Sequence, residues 1–238
     1  KDLQLKLQSE EIETVEIEGY PLALKLVERA NVFQTEAFKM GWFEVQDASS
    51  QLVAEYLDVQ PGMKVVDACA GAGGKTLHLS ALMQNKGSLI AMDIYESKLK
   101  KLKIRARRNG AHNIEMRVIE STKPIKKLKG KADRLLIDAP CSATGTIRRR
   151  PDILTRKKSP HIRALTELQL KMIRHAANWL KPGGVLVFAT CSLLRAEGED
   201  LIKIIQSDSG LVPFPIDAAE YTGFVPFPAK GDNTSPQS

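Results

Sequence analysis

The sequence predicts an α/β fold, a doubly wound and mostly parallel sheet with a small N-terminal subdomain. Three observations carry that reading. From Asp47 onward, short apolar runs alternate with longer amphipathic stretches. Glycine or Pro-Gly pairs close several of those stretches, as at Gly110 and Pro182-Gly183-Gly184. The first apolar run empties into a glycine-rich turn that opens a helix.

The elements follow in order. Residues 1–45 form an appendage in which Leu3, Leu5 and Leu7 alternate, Pro21 interrupts, and Gly41-Trp42 turns into the main domain. Asp47 caps a helix running to about Leu57, which Pro61-Gly62 ends. Strands are expected at Lys64–Ala68, Ser88–Asp93, Glu115–Ile119, Arg134–Asp138 and Val185–Thr190. Helices are expected at Lys75–Met83, Glu96–Asn109, roughly Pro160–Leu180, and Glu197–Gln206. The expected domains are 1–45 and 46–229, with a polar tail over 230–238 whose composition predicts disorder.

The 238 residues are 43% hydrophobic, enough for a sizeable core. No run approaches the ~18 uncharged apolar residues of a membrane span, and no signal peptide opens the chain. Net charge is +7 and unevenly spread. Residues 1–18 hold two lysines against six acids, net −4, leaving +11 for the rest. Such a field favours a polyanion, most simply nucleic acid. Three cysteines without CxxC spacing indicate neither a disulfide framework nor a zinc site, and point to a reduced, cytoplasmic setting. The histidines His78, His112, His161 and His175 show no ligand-like clustering, so no metal is expected. The chain opens at Lys1 rather than methionine, which reads as a fragment or processed product.

The glycine turn is Cys69-Ala70-Gly71-Ala72-Gly73-Gly74-Lys75. A phosphate-binding Walker loop needs glycine at 69, and the dinucleotide fingerprint needs glycine at 76; these positions hold Cys69 and Thr76. What remains is the looser loop of S-adenosylmethionine sites. Asp93 ends the second strand, where a carboxylate can accept both ribose hydroxyls. Loop and acid together indicate an adenosine-bearing cofactor.

Two cysteines stand just beyond strand ends, each followed by serine: Cys141-Ser142 and Cys191-Ser192. A thiolate there can be a nucleophile, particularly beside cations. Methylation of a pyrimidine carbon needs such a set. C5 of cytosine is a poor nucleophile until a thiolate adds at C6 and an acid protonates N3. A base must then remove the C5 proton so that the thiolate can leave.

Asp138-Ala139-Pro140-Cys141-Ser142-Ala143-Thr144-Gly145, the following Arg148-Arg149-Arg150-Pro151-Asp152, and Ala189-Thr190-Cys191-Ser192 closely resemble the Nop/Sun family of RNA cytosine-C5 methyltransferases, nearest its bacterial Sun/Fmu ribosomal branch. The likeness runs from about Gly41 to Ile205 and includes Val45-Gln46-Asp47-Ala48-Ser49-Ser50-Gln51. It implies a Rossmann-like methyltransferase sheet, S-adenosylmethionine as cofactor and RNA, ribosomal by its branch, as substrate. It maps the nucleophile onto Cys191, product release onto Cys141, and contact with the reacting base onto Asp138. Residues 69–75 would hold the cofactor with Asp93, Lys75 also lying near the target base.

The sequence departs from the family twice. Gly71 and Ala72 stand where Ala-Pro is usual, and Glu120 replaces the aspartate of a Gly-Asp-Gly-like turn near the adenine.

Arg148, Arg149 and Arg150 follow the Cys141 loop, where phosphates flanking a splayed cytidine would lie. Lys98, Lys100, Lys101, Lys103, Arg105, Arg107 and Arg108 crowd one helix around a Leu99, Leu102, Ala106 stripe, either an RNA contact or a solvated face. A DNA cytosine methyltransferase would carry Glu-Asn-Val, which is absent, and an amino-group methyltransferase would want an aromatic at Cys141. A catalytically silent RNA-binding module on the same fold is the alternative from another class. Such a binder needs neither cysteine, nor Asp138, nor Lys75.

Overall fold

The computed structural model describes residues 1–119, 125–156, 159–208 and 210–212. In chain order its elements are α1 (Asp2–Gln8), β1 (Thr14–Ile17), β2 (Tyr20–Leu26), α2 (Glu36–Lys39), α3 (Ala48–Tyr56), β3 (Lys64–Asp67), α4 (Gly74–Leu82), β4 (Ser88–Asp93), α5 (Glu96–Arg108), β5 (Ile114–Val118), β6 (Ala132–Asp138), α6 (Ile153–Arg156), α7 (Ser159–Ala177), β7 (Leu180–Ala189) and α8 (Glu199–Asp208). Glu120 and the tail 230–238 lie outside the described residues.

β3 to β7 form one parallel sheet in the order β5-β4-β3-β6-β7. The chain winds outward from β3 to β5, then returns to lay β6 on the other side of β3. The reversal falls between β3 and β6, where a doubly wound sheet opens a crevice at its carboxyl edge. Successive strand residues serve opposite faces. Val66, Ala68, Leu135 and Ile137 pack against Ile173, Ala176, Leu201 and Ile205 of α7 and α8. Val65, Leu89 and Leu136 pack with Leu79 and Met83 and with Ala54 and Leu57 from the α3 region. Leu99, Leu102 and Ala106 lay α5 on Ala91 and Leu77. Each buried leucine contributes about 1.5–3 kcal/mol.

Three expectations are corrected. Pro182-Gly183-Gly184 does not stand between helix and strand, because β7 already begins at Leu180. Ala132 faces Leu180 while Arg134 faces Val185, so the Pro-Gly-Gly segment bulges out of the β6–β7 ladder with Gly183 at φ +76°. The Leu3, Leu5, Leu7 alternation belongs to helix α1, in which Leu7 is buried and Leu5 is 64% exposed. Pro21 lies inside β2, part of a two-stranded hairpin whose edges tolerate the missing donor.

Candidate active site at the carboxyl edge of the sheet

β3 delivers Asp67 to the sheet edge, 1% exposed. Its carboxylate accepts hydrogen bonds from the Cys69 amide (3.2 Å) and the Thr76 hydroxyl (2.7 Å), tying the start of the loop to the helix that follows. Burial pushes the Asp67 pKa up to about 6 against those bonds. Gly73 closes the loop at φ +92°, and a Cβ there would come within 2.2 Å of the Leu102 side chain. Only glycine fits. α4 then starts without a side-chain cap, so its first amides face the loop.

The Asp93 carboxylate is fixed from two sides, by the Gly71 amide on one oxygen (3.0 Å) and the Tyr95 amide on the other (2.8 Å). Each oxygen keeps one lone pair, which suits a ligand offering two neighbouring hydroxyls. Arg105 donates to the Ala72 carbonyl (2.7 Å) and to Glu44 (2.9 Å). Burial pushes the Cys69 thiol up, with Asp67, Asp138 and Asp93 adding to it, so this cysteine is a neutral loop residue.

At the switch point Lys75 and Asp138 form an ion pair at 2.6 Å. β6 and β7 end side by side, the Ala139 amide bonding the Ala189 carbonyl. Beyond them the loops stay in contact: the Gly145 amide donates to the Cys191 carbonyl at 2.8 Å, an approach that a side chain on Gly145 would block. The result brings Cys141 Sγ to 3.2 Å from Cys191 Sγ. Both thiols are free. The hydrogen bond from Cys191 outweighs burial and, with help from Thr190, pulls Cys141 down to about 6. The same contact pushes Cys191 up, with burial and the Asp138 charge adding to it. The pair therefore gives up one proton near neutrality and holds the second firmly.

Beneath the thiols lies a polar network that sequence reading missed. Ser142 and Ser192 meet hydroxyl to hydroxyl at 2.9 Å, and Thr144 reaches Ser192 at 3.2 Å while accepting from the Leu193 amide. Under them Glu197, 0% exposed, accepts from the Ser142 amide (2.9 Å), the Ser192 hydroxyl (2.6 Å) and Gln169 (3.0 Å). The one signal was the serine after each cysteine; nothing distinguished Glu197 from its acidic neighbours.

Arg148, Arg149 and Arg150 are exposed after the short helical turn Thr144–Thr146. Arg149 reaches Asp47 at 2.8 Å and Arg150 reaches Asp152 at 3.3 Å. The basic helix α5 divides. Arg105 and Arg108 are taken up by Glu44, and Lys98 lies 3.8 Å from Asp93 and over the Tyr95 ring, while Lys101, Lys103 and Arg107 face outward. Among the described residues no cluster of three His, Cys, Asp or Glu could hold a metal, and no helix is long and apolar enough to cross a membrane.

A family model described as 16S rRNA methyltransferase RsmB/F matches residues 54–221. The chain belongs to the RsmB/F family. It is 38% identical over 193 residues to the probable ribosomal RNA small subunit methyltransferase B of Bacillus subtilis, covering 80% of this chain and 43% of that protein. It is 36% identical over 230 residues to ribosomal RNA small subunit methyltransferase B of Yersinia enterocolitica, covering 95% and 53%. The chain thus spans about half the length of these curated relatives. Among solved structures, PH0851 superimposes with a TM-score of 0.82 at 34% identity, over 87% of this chain and 47% of that one. NSun6 from Pyrococcus horikoshii with SFG gives 0.69 at 32% identity, over 78% and 48%. The sheet is that of the S-adenosylmethionine-dependent methyltransferases.

Within this RsmB/F fold, the carboxyl edge gathers residues 69–75, Asp93, Asp138, Cys141 and Cys191, which come from four different strand ends. Arg148, Arg149 and Arg150 lie on the exposed rim of the Cys141 loop. Glu120 lies outside the described residues.

Proposed function

We propose that this chain transfers a methyl group from S-adenosylmethionine to C5 of a cytidine in small-subunit ribosomal RNA, through a covalent bond between Cys191 and C6 of the base. The observation that carries the reading is the meeting of two free thiols, 3.2 Å apart, at the edge that also holds the Lys75–Asp138 pair. A binding module has no need of such a pair. The family and its relatives named for the small ribosomal subunit support the RNA assignment, and a ribosomal substrate puts the reaction in the cytoplasm.

The cofactor cradle is the backbone of residues 69–75 together with Asp93. It fits an adenosine: the space beside Gly71 is open, the α4 amides are uncapped, and Asp93 keeps a lone pair on each oxygen. The SFG in the related NSun6, an analogue of S-adenosylmethionine, supports the same assignment. When bound, S-adenosylmethionine supplies an electrophilic methyl group on a positively charged sulfur.

The chain's own residues do the rest. The Cys191 sulfur bonds to C6 as its proton passes to the Cys141 thiolate, whose sulfur stands 3.2 Å away. The electron pair freed from the C5–C6 double bond makes C5 nucleophilic. Asp138 is assigned the contact with the base, and its ion-pair partner, the Lys75 ammonium, can give N3 the proton that neutralises this state. After methyl transfer Cys141 gives the proton it took to solvent, and the thiolate so restored removes the C5 proton as the Cys191–C6 bond breaks and Cys191 leaves as thiolate. Residues 1–45 act as the connecting subdomain of a catalytic domain over 46–229, with Arg148, Arg149 and Arg150 holding phosphates flanking the target.

The deciding experiment is methylation of naked small-subunit RNA by the full-length protein, followed by bisulfite mapping. Protection of a discrete cytidine is expected. Cofactor binding without any transfer to RNA would leave a silent binder instead.

A further inference from the structure

Among the described residues no cation pairs with the buried Glu197 carboxylate, and its two oxygens are divided between the two cysteine loops. Oε1 accepts from the Ser142 amide, the residue after Cys141, and Oε2 accepts from the Ser192 hydroxyl, the residue after Cys191. Gln169 completes the frame, donating to Oε1 and to the Pro140 carbonyl just before Cys141. Ser192 extends it by accepting from the Leu194 amide. Burial alone pushes the Glu197 carboxyl up, but the donors from Ser142, Ser192 and Gln169 outweigh it and hold the group below the usual carboxylate range. A buried anion is costly unless hydrogen bonds offset the lost water, and three donors do so here, two on Oε1 and one on Oε2.

We propose that Glu197 is a positioning residue that sets the separation of the two thiols, each carboxylate oxygen anchoring one of the two cysteine loops. It touches neither sulfur. Its effect passes through Ser142 and Ser192, whose neighbours are held at 3.2 Å. That spacing permits one proton to serve both sulfurs, so losing the carboxylate undoes the proton sharing along with the geometry. The inference rests on the proposed function only in giving the thiols chemistry to do; their separation can be measured with no RNA present.

The test uses the full chain and diamide, an azodicarboxamide oxidant. Two S–H groups become one S–S bond while diamide takes up the two protons and two electrons. Closure requires the sulfurs to approach to about 2.05 Å, so its rate reads how well the loops are held together. Glu197→Ala should slow closure about 10- to 100-fold, the scale of an ångström-sized misplacement. It should also move the pH midpoint of thiol alkylation from about 6 toward the ordinary thiol value near ~8.5. S-adenosylmethionine affinity should hold, showing that the sheet edge is intact. Glu197→Gln keeps an acceptor for the Ser142 amide and should recover most of the closure rate. Closure and alkylation in Glu197→Ala at wild-type rates would overturn the proposal. Should that variant fail to fold, Ser192→Ala removes the hydroxyl joining Glu197 to the Cys191 loop, together with its bonds to Ser142, Thr144 and the Leu194 amide, and wild-type closure there overturns it equally. A wild-type protein that methylates no RNA would sink the proposed function and leave the thiol measurement standing.

Discussion

Cys141 and Cys191, fifty residues apart in the chain, place their sulfur atoms 3.2 Å from each other. Neighbouring strands β6 and β7 end in register, Asp138 opposite Ala189, so the two loops leave the sheet together. One thiol is assigned the making of the covalent bond and the other its breaking. Cys191→Ala should therefore abolish methylation and form no adduct. Cys141→Ala should attack and transfer methyl, then stall, accumulating a protein–RNA species that survives denaturing electrophoresis. An adduct in Cys191→Ala and none in Cys141→Ala would reverse the roles.

The shared proton has its own signature. Cys141 is pulled down to about 6 chiefly by the hydrogen bond from Cys191, so alkylation of the wild-type pair should rise with pH around that midpoint. Cys191→Ala removes the main cause and leaves burial in place, so the remaining thiol should titrate well above 6. A profile that stays put, followed by mass spectrometry of the modified peptide, would dissolve the coupling.

Asp67 predicts an unusual dependence of stability on pH. Its folded pKa of about 6 lies above its reference of 3.8, so the fold binds that proton more tightly than the unfolded chain does. The wild type consequently loses stability as pH rises from about 4 to 6, by about 3 kcal/mol at 1.36 kcal/mol per unit. Asp67→Asn keeps an acceptor for the Cys69 amide and turns its NH2 toward the Thr76 hydroxyl as a donor, without the charge. Its advantage in urea midpoint should be absent near pH 4 and full at pH 7. A constant offset between the two proteins would contradict this.

RNA affinity should fall steeply with salt, because phosphate contacts release counterions. Arg149 and Arg150 rest in exposed ion pairs worth about 0–1 kcal/mol, which a phosphate can replace. Replacing Arg148, Arg149 and Arg150 with alanine should flatten the slope of log affinity against log salt by roughly one unit per lost contact. An unchanged slope would assign the three to a solvated loop.

The five strands were legible because a parallel sheet covered on both faces leaves continuous apolar runs, and Lys64–Asp67 and Ser88–Asp93 announce themselves that way. The Asp47 cap was legible too, its carboxylate taking the Ser49 amide. The start of β7 was not. A Pro-Gly-Gly segment carries the same local signal whether it ends a helix or bulges from a strand, and only pairing with β6 decides. In the site, the cysteines and Asp93 stood out because their chemistry is tied to strand ends. Glu197 did not, since its role comes from burial and from two serines that reach it across space. Arg105 hid for a related reason. Within a run of seven cations, nothing local marks the one that turns inward to Ala72.

Glu44 gathers Arg105, Arg108 and Asn109 on its carboxylate, and Arg105 continues to the Ala72 carbonyl. One guanidinium thus bolts the N-terminal segment and the glycine loop to the same point on α5. Beside it, Arg108 stacks on the Phe38 ring and, with Asn109, shares the Glu44 carboxylate. Any change that removes Glu44 would therefore free the guanidinium that holds the Ala72 carbonyl.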